Sequence, residues 1–471
     1  MASFNVVNAA VERVTSNRKV LILVCLGLGG AMVGIDVSIV NAMLPVVTNS
    51  LHTNLANVEW VVTIYLLVLC GMLLAFGRLG DIYGHKSILL VGFIGFTISS
   101  GLCGLASSIG WLIAFRILQG ISGATFTNIP AILADHFPAH QRGRAMAIQM
   151  TIMYVATSSG PPLGGLLAAQ FGWRSIFFIN VPIGILATLM SHCYIPNDRP
   201  KGEVRPFDLL GAFLFFTGIF PLLLALNQGY KWGWTSSISL GLIALAVMLL
   251  SIFIKVEYRG PHPMLDLALF RNRVLAESVA SSSICYLAEN STLFIVPFYL
   301  IAGRELTPTG AGLVLATQPL VMTIVSPIAG ILTDRVGSRI TTTLGLLAVT
   351  IGLVLLGACG AIGAHTSRVA VAMAVCGVGF GLFNAPNATR ILESAPPDRR
   401  GIVSGVLSAS RNIGLVMGAA VSGAIYTTVL SRTGGHRFGQ ALAITLLAVA
   451  LITTIAMVGS WRGAKLADER K

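Results

Sequence analysis

Apolar runs of about twenty residues recur along the whole chain, and its charged residues gather in the gaps between them. A helix of about 20 apolar residues spans the ~30 Å hydrocarbon core of a bilayer. That recurrence restricts the fold more than any single motif. A soluble chain carries about 25% charged residues. Here the figure is 10%, against 55% hydrophobic residues and a mean hydropathy of +0.82. A soluble core of 471 residues could not bury so much apolar surface. The runs also lack the two-residue alternation of barrel strands, so helices are expected.

The pattern predicts fourteen helices, near 20–45, 58–77, 87–106, 110–134, 144–168, 174–195, 207–227, 236–256, 275–301, 309–332, 340–361, 368–391, 401–430 and 439–461. An even number leaves both termini on one side. The first run is too long for the core of a cleaved signal, and no cleavage site follows it. Lysine and arginine fix the orientation. Of 31 in the chain, 23 fall on the side of the termini, six in the opposite loops, and Arg116 and Arg411 inside helices. Basic residues mark the cytoplasmic side. The net charge of +13 is thus a topology signal rather than a nucleic-acid surface. The seven cysteines are odd in number, lie in apolar helices and form no CxxC pair, which argues against a disulfide framework or a metal site.

Two stretches are echoed. GRLGDIYGHK (77–86) matches GILTDRVGSR (330–339) at an offset of 253, and FPAHQRGRAMAI (137–148) matches APPDRRGIVSGV (395–406) at 258. A weaker echo pairs Gly160 and Gly164 with Gly414 and Gly418. Parallel repeats of this kind build transporters from two six-helix bundles. The predicted fold is therefore an all-α integral membrane protein, two six-helix bundles plus two inserted helices. The expected parts are a cytoplasmic N-terminus (1–19), an N-terminal bundle (20–195), a linker with the two extra helices (196–274), a C-terminal bundle (275–461) and a cytoplasmic tail (462–471). Asn227–Trp234 (NQGYKWGW) reads as an interfacial aromatic cap on the insert.

Ionisable groups within the bilayer are costly and point to function. Asp36, Arg116 and Glu289 fall inside predicted helices, with Gln119 and Asn290 as polar neighbours. At about 1.5 Å per residue, Asp36 lies roughly 24 Å and Arg116 roughly 27 Å from the cytoplasmic ends of their helices. An ion pair at one level lessens the cost of both; a purely structural pair is the competing reading. Glu289 falls near the midplane, in the other half. An acid held between burial, which opposes its charge, and a nearby cation, which favours it, meets the physical requirement for proton coupling. Glu59, Glu277 and Asp135 read as interfacial, and Arg411 receives no role. GDIYGHKS lacks the spacing of a nucleotide-binding loop, so no ATP engine is expected and work would come from an ion gradient; no Ser/His/Asp arrangement or metal spacing points to an enzyme site, and no cofactor is expected.

Four motifs resemble the major facilitator superfamily, and within it the fourteen-helix drug:proton antiporters. GRLGDIYGHK is similar to the superfamily loop between helices 2 and 3. That resemblance implies a conformational gate at Gly77, Arg78, Gly80, Asp81, Gly84 and Lys86, echoed by Asp334, Arg335 and Arg339. Asp81 would engage the helix beginning near Gly401 and latch the cytoplasmic side shut in an outward-open state. FRILQGISGA and GIDVSIVNAMLP resemble the helix-4 and helix-1 motifs, which implies proton coupling at Arg116 and Asp36. Ser38 stands where the helix-1 motif usually has threonine. SSGPPLGGLLAAQFGWRSIFFINVPIG resembles the antiporter motif, with Gly160, Pro161, Pro162, Gly164 and Gly165 expected to bend and thin its helix. The resemblance implies a monomeric, proton-driven multidrug exporter of amphipathic small molecules in the bacterial inner membrane. The alternatives are a narrow exporter of one metabolite, antibiotic, siderophore or lipid, and a proton symporter.

Overall fold

The computed structural model describes residues 2–53, 55–197, 206–233, 235–260, 263–265, 267–306, 308–433 and 437–468. Residues 198–205 of the expected linker, Trp234 of the aromatic cap and the final three residues of the tail lie outside the described residues. Sixteen α-helices follow one another: α1 (Ala2–Ser50), α2 (Leu55–Tyr83), α3 (His85–Leu105), α4 (Ile109–Ala124), α5 (Ile129–His136), α6 (Ala139–Phe171), α7 (Ser175–Phe178), α8 (Asn180–Tyr194), α9 (Leu209–Trp232), α10 (Ser237–Arg259), α11 (Arg273–Phe298), α12 (Pro308–Val336), α13 (Ser338–Ala361), α14 (Thr366–Glu393), α15 (Arg400–Arg432) and α16 (Phe438–Asp468). A 3₁₀ turn, Thr125–Asn128, carries α4 into α5, and α7 runs into α8, so the helices form fourteen runs.

Thirteen of these runs are long and apolar enough to cross a bilayer. The other is α6. Its 33 residues reach about 50 Å, but Gln149, Thr157, Ser158, Ser159, Pro161 and Pro162 in its middle lower its hydropathy. The chain is thus an all-helical, multi-pass membrane protein. Apolar side chains such as Leu240, Val247 and Ile254 of α10 face outward, where lipid replaces water as the solvent.

Two expectations need correction. The stretch 77–86 is not a loop. α2 runs to Tyr83, α3 starts at His85, and Gly84 alone turns the chain at φ 93°. Gly337, at φ 90°, does the same between α12 and α13. Only glycine adopts this conformation without strain, and a single such residue suffices to reverse a helix. The expected N-terminal and C-terminal segments are also largely helical, continuing α1 back to Ala2 and α16 on to Asp468. Elsewhere side-chain caps start the helices: Asp208 Oδ1 accepts the Gly211 N–H at 2.7 Å to open α9, and Asn272 Oδ1 accepts the Val274 N–H at 3.0 Å to open α11.

α1 packs along α6, and α11 along α15. The two repeat units meet mainly where α2 lies against α15 and where α12 lies against α6. The sequence echo maps α2 onto α12 and α6 onto α15, so these seams are one contact made twice. Glycine permits both. A Cβ on Gly77 would collide with the carbonyl oxygen of Gly401, and a Cβ on Gly330 would sit 2.9 Å from that of Gly143. The inserted helices break the symmetry: α9 packs beside α2 and α15, and α10 packs on α9.

Gly401→Leu is therefore expected to destabilise the folded protein by about 1–3 kcal/mol through overpacking. Gly165→Ala, where a Cβ meets nothing within 4 Å, should change stability by less than about 0.5 kcal/mol. Denaturant unfolding in detergent checks both.

Candidate functional site

Asp36 on α1 and Arg116 on α4 are both 0% exposed. Arg116 Nη1 donates to Asp36 Oδ2 at 2.6 Å and to Gln119 Oε1 at 2.7 Å, while its Nε donates to the Val61 carbonyl oxygen at 2.9 Å. Gln119, one turn along the same helix face, donates from Nε2 to Asp36 Oδ1 at 2.9 Å and to Ser100 Oγ at 2.7 Å. Asn180 Nδ2 reaches Asp36 Oδ1 from α8 at 3.4 Å. The guanidinium also lies over the Tyr65 ring, 4.1 Å from its centroid. Five helices thus converge on one carboxylate. A single ion pair in hydrocarbon is expensive, and the bonds made by both Asp36 oxygens and by Arg116 Nε and Nη1 lessen that cost, while Nη2 is buried without a hydrogen-bond partner among the described residues. Tyr65, Ser100 and Asn180 carry no sequence signal of their own; polar residues in apolar helices are common, and only tertiary packing selects these three.

Glu289 does not join this cluster. It is half-buried on α11, where Asn384 Nδ2 of α14 donates to its Oε2 at 3.3 Å. The same Asn384 nitrogen donates to Tyr154 Oη of α6 at 2.8 Å, so Glu289 is tied to the opposite repeat unit. Its neighbour Asn290 serves packing, donating from Nδ2 to the Leu415 carbonyl oxygen at 2.6 Å and so fastening α11 to α15. Between the units lies a cavity of about 260 Å³, lined by residues of α1, α2, α4, α5, α6, α11 and α15. Neither Asp36 nor Glu289 lines it, but Arg411 and Asn412 do.

Two further carboxylates join the units at one side of the bilayer. Asp81, at the end of α2, accepts the Gly401 N–H at 2.7 Å and the Ile402 N–H at 2.9 Å, in the first turn of α15. Its side chain is only 2% exposed, and His85 Nε2 lies 3.7 Å from it. Asp334, at the end of α12, accepts the Gly143 N–H at 3.1 Å and the Arg144 N–H at 3.2 Å near the start of α6. Asp81 and Asp334 are echo partners, and so are Gly401 and Gly143. Helix N-termini favour an anion by about 0.3–1 kcal/mol when exposed, and more when partly buried. Arg400 adds a cross-unit ion pair to Asp135 at 2.5 Å. Asp135 is therefore an inter-unit contact and not merely an interfacial charge, which the sequence alone does not reveal because its partner is 265 positions away. His85 and Asn128 were likewise invisible; they hydrogen-bond to each other at 2.9 Å beside Gly80.

The remaining gate residues are dispersed. Lys86 is buried and donates to the His192 carbonyl oxygen at 3.0 Å and to Asn197 Oδ1 at 2.8 Å, holding the end of α8. Arg78 is half-buried near the end of α2, Arg335 is exposed after Asp334, and Arg339 is half-buried in the first turn of α13. Gly160 and Gly164 of α6 face α1, where added Cβ atoms would meet Ser38 and Ile39, while Pro161 and Pro162 are exposed and Gly165 is in open space. α6 runs through both prolines as one helix.

The fold and these buried charges define a polytopic transport protein. The chain matches the Major Facilitator Superfamily over residues 26–265 and 279–469 and belongs to that family. It is 34% identical over 419 residues to the multidrug resistance protein Stp of Mycobacterium tuberculosis, covering 88% of this chain and 77% of that one. It is 32% identical over 414 residues to the riboflavin transporter RibZ of Clostridioides difficile, covering 88% and 89%. Its fold superposes on the proton:xylose symporter XylE with a TM-score of 0.65 at 14% identity, covering 93% and 95%. Members of this family with this fold are transporters, not enzymes.

Arg116→Gln leaves Asp36 as an unpaired buried charge, and a loss of about 3–5 kcal/mol is expected. Asp36→Asn combined with Arg116→Gln should recover part of it, since neither charge remains. Thermal unfolding in detergent of the two single variants and the double variant reads the difference.

Proposed function

We propose that the protein is a proton-coupled exporter of amphipathic small molecules, working by alternating access with both termini in the cytoplasm of a bacterial cell. The observation that carries the reading is Asp36, a carboxylate fully buried at membrane depth and held by Arg116, Gln119 and Asn180. Adding a proton to it removes the charge that compensates Arg116, so protonation must rearrange the helices that supply those donors. Glu289 offers a second acid, and its Asn384–Tyr154 link crosses the units, so its charge is felt at their interface. Gly160 packs on Ser38, two residues from Asp36, which joins the Gly–Pro face of α6 to the acid. Protons entering from outside would reach these acids as substrate leaves outward.

Contacts between the units are made by Asp81, Asp334 and the Asp135–Arg400 pair on the lysine- and arginine-rich side. They act as the gate that must part for the cavity to face the cytoplasm. The similarity to a protein named for multidrug resistance supports export of drug-like compounds. The riboflavin transporter favours a second reading, a narrow-specificity carrier of one metabolite.

The test uses purified protein in liposomes with an imposed pH gradient and a trapped pH dye. Cationic, neutral and anionic amphiphiles are added singly. Substrate-dependent proton movement is expected with several of them, and Asp36→Asn should abolish it while still inserting into liposomes. Proton movement at the wild-type rate in Asp36→Asn would refute the coupling role. A response to one compound alone would favour the narrow carrier.

A further inference from the structure

The central cavity has a lopsided electrostatic character. Among its lining residues Arg411 is the single charged side chain. The acids nearby are committed elsewhere: Asp36 to Arg116, Gln119 and Asn180, and Glu289 to Asn384. Glu289 lies within electrostatic reach of Arg411. Among the described residues, however, the two form no direct ion pair, and the only hydrogen bond that Arg411 makes is from Nη1 to Met153 Sδ, at 3.3 Å. A guanidinium has five N–H donors, and a thioether is a weak acceptor. The Tyr286 ring, its centroid 5.4 Å from Cζ, satisfies the cation only from the face. Arg411 is half-buried, as expected of a side chain that borders a cavity.

The rest of the wall divides in two. Gln149, Thr157 and Asn412 supply hydrogen-bonding groups, while Leu66, Leu69 and Phe126 supply an apolar surface. A small ligand site has this composition: mostly apolar walls with a few polar groups that fix orientation. A planar, bidentate fork matches a carboxylate or a similar oxygen pair. A cationic ligand would instead meet a like charge in a medium of low dielectric.

We propose that this cavity binds amphiphiles with a carboxylate or a similar anionic oxygen pair on an apolar body, with the oxygens on Arg411. This deepens the transport reading and rests on it for the cavity's being the transport path. The recognition itself is an equilibrium property and is measured without a proton gradient. That separates the two: absent proton flux with intact selective binding would sink the coupling and leave this assignment standing.

The probes are three anthracenes of one shape, 9-anthracenecarboxylate, 9-anthracenemethanol and 9-(aminomethyl)anthracene. Binding to purified wild-type protein in detergent is followed by fluorescence anisotropy. The carboxylate is expected to bind about tenfold more tightly than the amine. Arg411→Gln should bring that ratio close to one. Arg411→Lys keeps the charge without the fork and should retain a reduced preference for the carboxylate, so it carries the test if Arg411→Gln does not fold. Melting curves establish folding of each variant. A wild-type preference for the amine, a carboxylate preference that survives Arg411→Gln, or no binding of any probe to the wild type would each overturn the proposal.

Discussion

A carboxylate at the end of one helix, seated on backbone N–H groups near the start of another, joins the two units of this molecule. The contact occurs twice, through Asp81 on α15 and Asp334 on α6. It depends on backbone approach as well as on charge. Gly77 and Gly401 on one seam, and Gly330 and Gly143 on the other, let the helix backbones come close enough for a short aspartate side chain to reach. Each contact is weak beside a packed core, because a helix terminus contributes a few kcal/mol at most. Weak, specific and duplicated contacts suit the opening of this seam that the proposed alternating access requires.

Charge compensation organises what lies deeper. The bilayer core offers no water to an unpaired ion, so each buried charge recruits partners from several helices. Asp36 draws donors from α4 and α8 into one cluster. Glu289 engages α14 and, through Asn384, α6. In both cases one carboxylate determines how separate helices sit, and a change in its charge changes that arrangement. Arg411 differs in kind: it is a cation lining a cavity, and among the described residues its one hydrogen bond is to the Met153 thioether.

Much of this was legible in the sequence. Hydropathy gave the helices, and the distribution of lysine and arginine gave an expected orientation. The echo at offsets of 253 and 258 already paired Asp81 with Asp334 and Gly143 with Gly401. Depth along the helix put Asp36 and Arg116 at one level, where the structure has them in contact. Other features depend on contacts distant in sequence. Asn180 and Asn384 are ordinary polar residues until folding brings each to an acid, and Ser100 until it meets Gln119. Asp135 read as an interfacial charge because nothing local names Arg400 as its partner. Gly84 and Gly337 each do alone what the pattern assigned to the gaps 78–86 and 333–339 between predicted helices, because a positive φ is a property of one residue and hydropathy averages over many.

The gate is the claim on which the account most depends. Spin labels at Tyr83→Cys and Asp398→Cys, both exposed positions beside the Asp81 contact, in a background carrying Cys193→Ser, report its opening by double electron–electron resonance. A predominantly short distance is predicted for that protein in lipid nanodiscs, with a longer component growing when Asp81→Ala is added. An unchanged distance distribution in the Asp81→Ala protein would contradict the account, because the carboxylate would then not be holding the two units together.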